Sequence, residues 1–508
     1  MENNTTEKQN KPVLKYNDKI AKKQLIKAVI FFAVLYVIVV GATWIKFAIL
    51  ELTWSAGSHF IVLIGAALVL AALAFYLLYS RRELLFASRD LYAVGAVVAF
   101  SYIACIFFGF ISIYAIPTVL AAFIIAPIAR RRDAFIGNFF VNILLLITLL
   151  TEYIYVGGMS VEGIGIYRVL EILVKFVIGV SGGTIAAYTV WNRAGRLGYI
   201  VKSLLVGIGV YALIILGSVL TGVFVNQAGI RITEYNFFVS YMRLPMAFGA
   251  IAAFSPFLFG LMLQPVLERA FNLITDSRLI ELTDHNSSLI KRLRLETPGT
   301  FSHSLAVASF AEMCASAIGE NPYLARAAAY YHDVGKLSNP DYYKENQADI
   351  NLHDELLPEV SADIIKAHTQ DGLALCEKYR IPIEVAHVTV QHHGTLLIPV
   401  FYQKAKNLTD GEVDKAQYSY QGVTPRSKIA AIIMLADAGE AAIRSLGSNP
   451  AVEQVDELLS SIIEGRIKDG QFDYCDISLK ELTVIKNTII KAFGGLYHTR
   501  LKYPDGDK

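Results

Sequence analysis

The fold of the C-terminal half is decided by a short stretch, Ala-Tyr-Tyr-His-Asp-Val-Gly-Lys at residues 329–336. Its adjacent histidine and aspartate place an imidazole and a carboxylate side by side. More such side chains lie on both sides in sequence, and the full set of candidate metal ligands is His303, His332, Asp333, His368, His392, His393 and Asp437. Mixed nitrogen and oxygen ligands suit divalent transition ions such as manganese or iron. Seven ligands exceed the roughly four that one ion takes, so the sequence predicts two ions.

Signals for helix starts and stops predict that helices carry these ligands. Five helices are predicted: one that contains His303 and ends at Gly319, one from Pro322 to His332, one that begins near Pro358, one from Pro382 to His392, and one over 428–446. We expect Gly372 to stop the third helix, so that His368 lies at its end. The pattern predicts an all-α bundle in which the ligands converge on one site inside the bundle.

Five strings in this order carry a family resemblance: Thr-Pro-Gly-Thr-Phe-Ser-His-Ser at 297–304, the stretch at 329–336, Glu-Asn-Gln at 345–347, His-His-Gly-Thr at 392–395, and Met-Leu-Ala-Asp-Ala-Gly-Glu-Ala-Ala-Ile-Arg-Ser-Leu at 434–446. They resemble the HD superfamily of metal-dependent phosphohydrolases. Within it they are most similar to the membrane-bound, seven-transmembrane-receptor HD phosphodiesterases that degrade cyclic di-AMP in bacteria. The resemblance implies an HD phosphodiesterase domain over 297–508 that hydrolyses cyclic di-AMP to pApA.

The resemblance also gives roles to individual residues. We assign the first ion to His303, His332, Asp333 and Asp437, and the second to His368, His392 and His393. In the family the Asp of the His-Asp pair, here Asp333, bridges the ions and is essential for catalysis. Lys336 is a second catalytic candidate, because it can neutralise charge on the phosphate in the transition state; a cation at a helix end is the alternative. The candidate substrate contacts are Lys336, Asn346, Thr395 and Arg444.

Three other histidines receive structural interpretations. A second His-Asp pair, His353-Asp354, has the setting of a loop. His387 and His498 are interpreted as structural residues. None of the three is assigned to the metal site.

Residues 25–264 are almost continuously apolar, whereas 265–508 have the charge density of a soluble domain. A membrane-spanning helix needs about 20 apolar residues. We predict eight spans, at about 25–49, 59–79, 91–112, 114–129, 135–156, 169–190, 199–224 and 239–264. The fourth is short, and the break before it is expected near Pro117. A single kinked helix over 91–129 is the alternative and would give seven spans.

Basic residues accumulate in every second loop of this prediction. A Lys-rich tail at 1–24 precedes the first span. The loops after the second, fourth and sixth spans contain Arg81, Arg82 and Arg89; Arg130, Arg131 and Arg132; and Arg193, Arg196 and Lys202, respectively. Because Lys and Arg are enriched in cytoplasmic loops, the pattern predicts a multi-pass protein of the bacterial cell membrane with both termini in the cytoplasm. Residues 265–296 are predicted to be a helical connector to the enzyme. The family's large extracytoplasmic domain has no counterpart in the short segment 51–58.

Charges within the apolar half need an explanation, because they are costly in a bilayer. Glu171 and Lys175 are four residues apart and share one helix face. Pairing along the helix is our preferred interpretation, and a ligand or ion site is the alternative.

Composition excludes other classes. The net charge of +2 and the lack of a basic patch with interleaved aromatics argue against a nucleic acid polymer as partner. The four cysteines have no paired spacing, which argues against a disulfide framework and a thiolate zinc site. The expected partners are a cyclic dinucleotide and the lipid bilayer, and a homo-oligomer is compatible with the sequence.

Two alternative functions stay open at this point. One is the same chemistry on cyclic di-GMP or another nucleotide. The other, of a different class, is a membrane receptor whose HD domain binds nucleotide without hydrolysing it.

Overall fold

The computed structural model describes residues 18–51, 56–80, 88–156, 164–190, 196–227, 238–347, 350–409, 411–447 and 450–496. The chain divides into two compact units, Met1–Thr275 and Asp276–Lys508. In the described ranges both units are helical, and the only β pairing there is an isolated bridge between Leu397 and Ser419. The predicted all-α class is therefore confirmed. Most of the basic tail, and also Arg81, Arg82, Arg193 and His498, lie outside the described residues.

The first unit is built from long apolar helices. They are α1 (Asp18–Ile49), α2 (Ala56–Ser80), α3 (Ser88–Ile111), α4 (Leu120–Ile128), α5 (Arg131–Val156), α6 (Ile164–Val190), α7 (Arg196–Gln227) and α8 (Leu244–Ala270), the last preceded by a π-helical segment, Val239–Arg243. Among the described residues, seven of these helices are long and apolar enough to cross a membrane. Only α4 is too short.

The predicted fourth span, 114–129, is therefore wrong as one continuous helix. The chain leaves α3 at Ile111, makes a 3-10 turn at Ile113–Ala115 and continues as α4, which has 9 residues. At 1.5 Å per residue α4 is about 14 Å long, roughly half of the hydrocarbon core of a bilayer. The expected break near Pro117 is present, but the described residues contain seven candidate spans rather than eight.

Side-chain amides of α5 satisfy the backbone at this break. Asn142 Nδ2 donates to the carbonyl of Thr118 at 2.8 Å, and Asn138 Oδ1 accepts from the amide of Ala122 at 3.3 Å. A Cβ atom at Gly179 would lie 2.0 Å from Asn142 Oδ1, so this glycine of α6 leaves room for the amide. Irregular backbone at membrane depth is tolerated when protein groups satisfy it in this way.

The expected ion pair between Glu171 and Lys175 is not formed. Glu171 instead accepts a hydrogen bond from the hydroxyl of Tyr114 and pairs with Arg168 at 3.1 Å. The Lys175 ammonium is buried, makes no hydrogen bond, and lies 4.8 Å from the centroid of the Tyr114 ring. Helix spacing suggested Lys175 as the partner of Glu171. A partner is instead Tyr114, which lies in the 3-10 turn after α3.

The second unit begins inside the predicted connector and is a bundle of shorter helices. They are α9 (Asp276–Leu282), α10 (Ser288–Glu296), α11 (Pro298–Ala317), α12 (Pro322–Tyr331), α13 (Pro358–Lys378), α14 (Ile383–Ala386), α15 (Val388–Gln391), α16 (Pro399–Leu408), α17 (Lys428–Ser445), α18 (Val452–Lys468) and α19 (Leu479–Leu496). Helix α11 lies at the centre and packs against α12, α17 and α19.

Most predicted helix ends in this unit are confirmed. Helix α11 ends before Gly319, which has a φ of 80° that glycine adopts without strain. Helix α12 is capped by the Asn321 side chain, which accepts from two backbone amides of the first turn, and its C-cap residue is His332. Each helix therefore stops where a ligand or a turn residue is needed.

The prediction that Gly372 stops α13 is wrong. The helix continues to Lys378, and His368 lies inside it. Glycine is needed for packing instead: a Cβ at Gly335 would lie 1.8 Å from the carbonyl oxygen of His368 and 2.6 Å from the amide nitrogen of Gly372. The turn after His332 can approach α13 closely only because this contact has no side chain.

Candidate metal centre

The fold brings all seven predicted ligands together at one buried point of the second unit. The ligands form three overlapping groups, and within each group the ligand atoms all lie within 4.8 Å of one another. The groups are Asp333, His368, His392 and His393; His303, His332 and Asp333; and His332, His392 and Asp437. Three helices (α11, α13 and α17) and two turns contribute them, although the ligands are separated by up to 134 residues in sequence. Asp333 belongs to two of the groups.

The two carboxylate oxygens of Asp333 face different histidines. Oδ1 lies 3.4 Å from His368 Nε2 and 3.6 Å from His392 Nε2. Oδ2 lies 3.2 Å from His332 Nε2 and 3.8 Å from His303 Nε2. This carboxylate therefore stands between the two predicted ligand sets, in the position that a bridging ligand requires.

Hydrogen bonds hold the imidazoles with Nε2 directed inward. The Nδ1 atoms of His332, His368 and His392 lie 2.7, 2.6 and 3.1 Å from backbone carbonyl oxygens of their own turns. A carbonyl oxygen accepts only, so each Nδ1 carries a proton and Nε2 is the atom that each ring can offer to a metal. Such anchoring is the usual arrangement of metal-binding histidines. Neither Nε2 of His332 nor Oδ1 of Asp333 makes a hydrogen bond, although both are buried.

Sequence reasoning missed Glu440, which anchors the fourth imidazole. Its Oε2 atom lies 2.6 Å from His303 Nδ1, and its Oε1 atom accepts a hydrogen bond from Arg444. Glu440 is 3% exposed. It follows Asp437 by three residues and so lies on the same face of α17. That spacing was the signal that could have identified it.

The two ligand sets differ in charge. Burial lowers the pKa of His368 to about 3 and, together with His392, holds the pKa of His393 well below its ordinary value. Burial also opposes charge on His303 and His332, but the nearby carboxylates of Asp437 and Asp333 raise their pKa to about 9 and about 10. His368 and His393 are thus neutral, whereas His303 and His332 share protons with the carboxylates and must release them to bind a metal.

Both carboxylates are held in their ionised form. Burial raises the pKa of Asp333, but the neighbouring His332 and Lys336 lower it further, so that it lies well below its ordinary value. The pKa of Asp437 is likewise lowered by His303 and His332 against the effect of burial. Two ionised carboxylates among imidazoles, one of them the buried Asp333 with an oxygen that lacks a hydrogen bond, fit a divalent transition ion.

Lys336 lies beside this centre and contacts two carboxylates. Its Nζ atom is 2.7 Å from Asp333 Oδ2 and 2.7 Å from Glu345 Oε1. These neighbours raise its pKa above the ordinary value although burial opposes the charge. Glu345, another residue that sequence reasoning missed, belongs to the quoted string at 345–347.

The other predicted substrate contacts have partners within the protein. Asn346 Nδ2 donates to Thr300 Oγ1 at 2.9 Å, and Thr395 Oγ1 accepts from Gln471 Nε2 at 2.9 Å. Arg444 donates to Glu440. The aromatic ring of Tyr420, which was not predicted, stacks on His393 with centroids 4.3 Å apart. His353 lies in a 3-10 turn, as its loop setting predicted, and its Nε2 is 2.9 Å from the carbonyl oxygen of Tyr342.

Comparisons with known proteins match the part of the chain that carries this site. Residues 300–442 match the HD domain family. The chain is 41% identical over 263 residues to the cyclic-di-AMP phosphodiesterase PgpH of Listeria monocytogenes, covering 52% of this chain and 36% of that protein. It is 41% identical over 264 residues to PgpH of Bacillus subtilis, covering 52% of this chain and 37% of that protein. The chain thus spans little more than a third of the length of these curated relatives.

A solved structure is also similar. It is the PgpH HD domain of L. monocytogenes in complex with cyclic-di-AMP, which is 43% identical to this chain with a TM-score of 0.40; 42% of this chain and 99% of that chain are covered. The predicted resemblance is confirmed by the family match and the sequence relatives. The chain contains an HD domain and is homologous to the PgpH phosphodiesterases.

Proposed function

We propose, from the premise that this chain carries an HD domain homologous to that of cyclic-di-AMP phosphodiesterases, that it is a membrane-anchored, metal-dependent phosphodiesterase that hydrolyses cyclic di-AMP to pApA. The observation that carries the proposal is the position of Asp333 between two sets of inward-facing imidazoles. This is a donor set for two divalent ions and leaves no need for a further protein ligand.

The ligands divide between the ions as follows. His303, His332 and Asp437 would hold one ion, His368, His392 and His393 would hold the other, and Asp333, which lies between these groups, would be shared by both. When bound, two such ions activate water at neutral pH and withdraw charge from the phosphate under attack. Manganese and iron both suit these ligands.

The protein's own groups prepare the site. Backbone carbonyls and Glu440 fix the imidazoles, so little reorganisation is needed when substrate binds. Lys336 holds a positive charge next to the metal ligands, where it can stabilise negative charge that develops on the phosphate. Tyr420 presents an aromatic ring against His393, and such a ring can stack on a nucleobase.

The membrane half anchors the enzyme. The candidate spanning helices support a multi-pass protein of the cell membrane. Basic residues stand at or before the starts of α1, α3, α5 and α7. Because such residues are enriched on the cytoplasmic side, the segment between α3 and α5 recrosses the bilayer through α4, and the HD domain lies in the cytoplasm. An enzyme for a cytoplasmic second messenger needs its site on that side.

The direct test is hydrolysis by the purified intact chain, in lipid nanodiscs with Mn²⁺ and then with Fe²⁺. Cyclic di-AMP and cyclic di-GMP are supplied separately, and linear dinucleotides are quantified by chromatography. We expect pApA from cyclic di-AMP at a rate at least about tenfold above any product from cyclic di-GMP. A preference for cyclic di-GMP would favour the alternative substrate, and tight binding without turnover by metal-loaded protein would favour the non-hydrolysing receptor.

A further inference from the structure

Glu345 lies next to the metal centre without belonging to it. Its side chain is 22% exposed, and none of the three ligand groups in the described part of the chain includes it. Its contact with the site is Lys336, whose Nζ atom lies 2.7 Å from Glu345 Oε1 and 2.7 Å from Asp333 Oδ2. Glu345 can therefore act on the reaction through this lysine.

Lys336 can stabilise charge on a phosphate only where its ammonium is held in place. A lysine is a point charge on a flexible four-carbon stem, whereas a group that stabilises a transition state acts best when it is already positioned. Two groups besides Asp333 restrict the ammonium. Glu345 accepts a hydrogen bond from Nζ, and the centroid of the Tyr343 ring lies 5.1 Å from Nζ. Glu345 is thus one of the groups that fix the charge.

The ammonium of Lys336 keeps a donor for the substrate. It has three N–H groups, and it contacts one oxygen of Glu345 and one of Asp333. Once two N–H groups point at fixed oxygens, the tetrahedral geometry of the nitrogen determines the direction of the third. The two carboxylates together therefore aim the donor that remains for a phosphate oxygen.

The first turn of α11 holds Glu345 in its turn. The hydroxyl of Thr300 donates to Glu345 Oε1 at 3.1 Å. The backbone amide of Thr300 donates to Asn346 Oδ1 at 3.2 Å, and Asn346 Nδ2 donates to Thr300 Oγ1 at 2.9 Å. Thr300 is fully buried. A buried polar network whose members are all satisfied holds its side chains in one arrangement, so these contacts orient the carboxylate.

Close backbone contact completes this arrangement. A Cβ atom at Gly299 would lie 1.9 Å from the carbonyl oxygen of Glu345, so α11 can approach the 3-10 turn Lys344–Asn346 only at a glycine. Thr300 precedes the ligand His303 by three residues in the same helix. The contact therefore joins the helix that carries a metal ligand to the turn that carries the partner of Lys336.

We propose that Glu345 is a positioning residue, which holds the Lys336 ammonium where its remaining donor meets a phosphate oxygen of the substrate. Thr300 and Asn346 fix Glu345 for this role. A neutral side chain would restrain the ammonium less, because hydrogen bonds between charged groups are the stronger ones. The inference rests on the proposed hydrolysis of a phosphodiester at this site, but not on which nucleotide carries it.

The test is a double-mutant cycle on the intact, Mn²⁺-loaded chain in nanodiscs. Glu345→Gln keeps the size of the side chain and an oxygen that can accept from Thr300, but removes the charge. We expect kcat to fall by about 10- to 100-fold and KM to change by less than about threefold, because a charge-assisted contact to the lysine is lost. Lys336→Gln should lower kcat by about 100-fold or more. The double variant should match Lys336→Gln within about twofold, because no ammonium is left to position.

Two further variants support the cycle. Thr300→Val removes the hydroxyl that orients Glu345 and should lower kcat by about three- to tenfold, again only where Lys336 is present. Glu355→Gln changes an exposed glutamate and is the matched control, which should keep its kcat. Metal content should be unchanged in every variant. An unchanged kcat in the Glu345→Gln chain, losses that multiply in the double variant, or loss of metal from Glu345→Gln would each overturn the proposal.

A second substrate separates this inference from the proposed function. The cycle is measured with cyclic di-AMP and with bis(p-nitrophenyl) phosphate, a phosphodiester without nucleobases. Hydrolysis of the second compound alone by the unmodified chain would refute cyclic di-AMP as the substrate, and the cycle on that compound would then decide the role of Glu345. Hydrolysis of neither compound by metal-loaded protein would refute both proposals.

Discussion

The two units of this chain bury charged side chains in contrasting ways. In the first unit the charged groups mostly contact one another, as Lys46 does with Glu152 and Arg168 with Glu171. In the second unit they converge on one point, where buried atoms of His332 and Asp333 make no hydrogen bond. Mutual pairing satisfies charges within the protein. Convergence without satisfaction indicates a ligand from outside, and buried groups left without one would destabilise the fold.

The largest effect is expected when the shared carboxylate is removed. Asp333→Ala should lower phosphodiesterase turnover by about three orders of magnitude or more, because both ligand sets lose a member and the metals lose their ability to activate water. Turnover of cyclic di-AMP by the purified intact chain measures this. Asp341→Ala, an exposed aspartate in the following 3-10 turn, is the matched control and should keep its activity. An Asp333→Ala chain with more than a few per cent of the turnover would place the bridge elsewhere.

Metal content tests the convergence directly. Elemental analysis of active, metal-replete protein should find about two transition ions per chain, because seven converging ligands exceed the roughly four that one ion takes. Removing them with a chelator should stop hydrolysis and lower the thermal unfolding midpoint of the HD domain, since binding to the folded state stabilises it. Restoring Mn²⁺ should reverse both changes. A stable content of one ion or less in fully active protein would contradict the two-ion site.

A smaller effect is expected one contact further out, at Glu440. Glu440→Gln keeps the shape of the side chain but removes the charge that orients His303. Loss of such a partner typically weakens metal binding by about 10- to 100-fold. Competition with a chelator should therefore show one weakened site and one unchanged site. Glu453→Gln, on the exposed face of α18, is the control. Equal affinity of both sites in the Glu440→Gln chain would reduce this carboxylate to a packing role.

The sequence predicted the metal centre better than the membrane half, and the reason is chemical. Few functions need histidine pairs and aspartates in this order, so Asp333 and Asp437 could be assigned from the ordered motifs and the family that they resemble. Glu440 could not, because a glutamate on a helix usually faces solvent. Gly372 was interpreted as a helix stop, although its close approach to Gly335 depends on a tertiary contact.

In the membrane half, hydropathy reports only how apolar a segment is. It cannot distinguish a spanning helix from the short buried helix α4, whose residues Leu120–Ala126 are all buried within the protein. The distinction depends on Asn138 and Asn142, which satisfy the broken backbone from a neighbouring helix. Contacts of this kind are not visible in local patterns, and the predicted pairing of Lys175 failed for the same reason.

The smallest effect is expected when the two units are separated. The HD domain holds all seven candidate ligands and their anchoring groups, and it forms a compact unit from Asp276 onward. We therefore expect the fragment 276–508 to hydrolyse cyclic di-AMP at a rate within about threefold of the intact chain, at equal metal loading per site. A ligand in the membrane half can change activity only through different affinities for two states of that half. Removing the membrane half should therefore abolish any such regulation but leave the rate of hydrolysis nearly unchanged. The measurement is turnover per metal-loaded site for the fragment and for the intact chain in lipid. A folded fragment with two ions but no activity, rescued by restoring α8, would show that the membrane half is part of the catalytic unit.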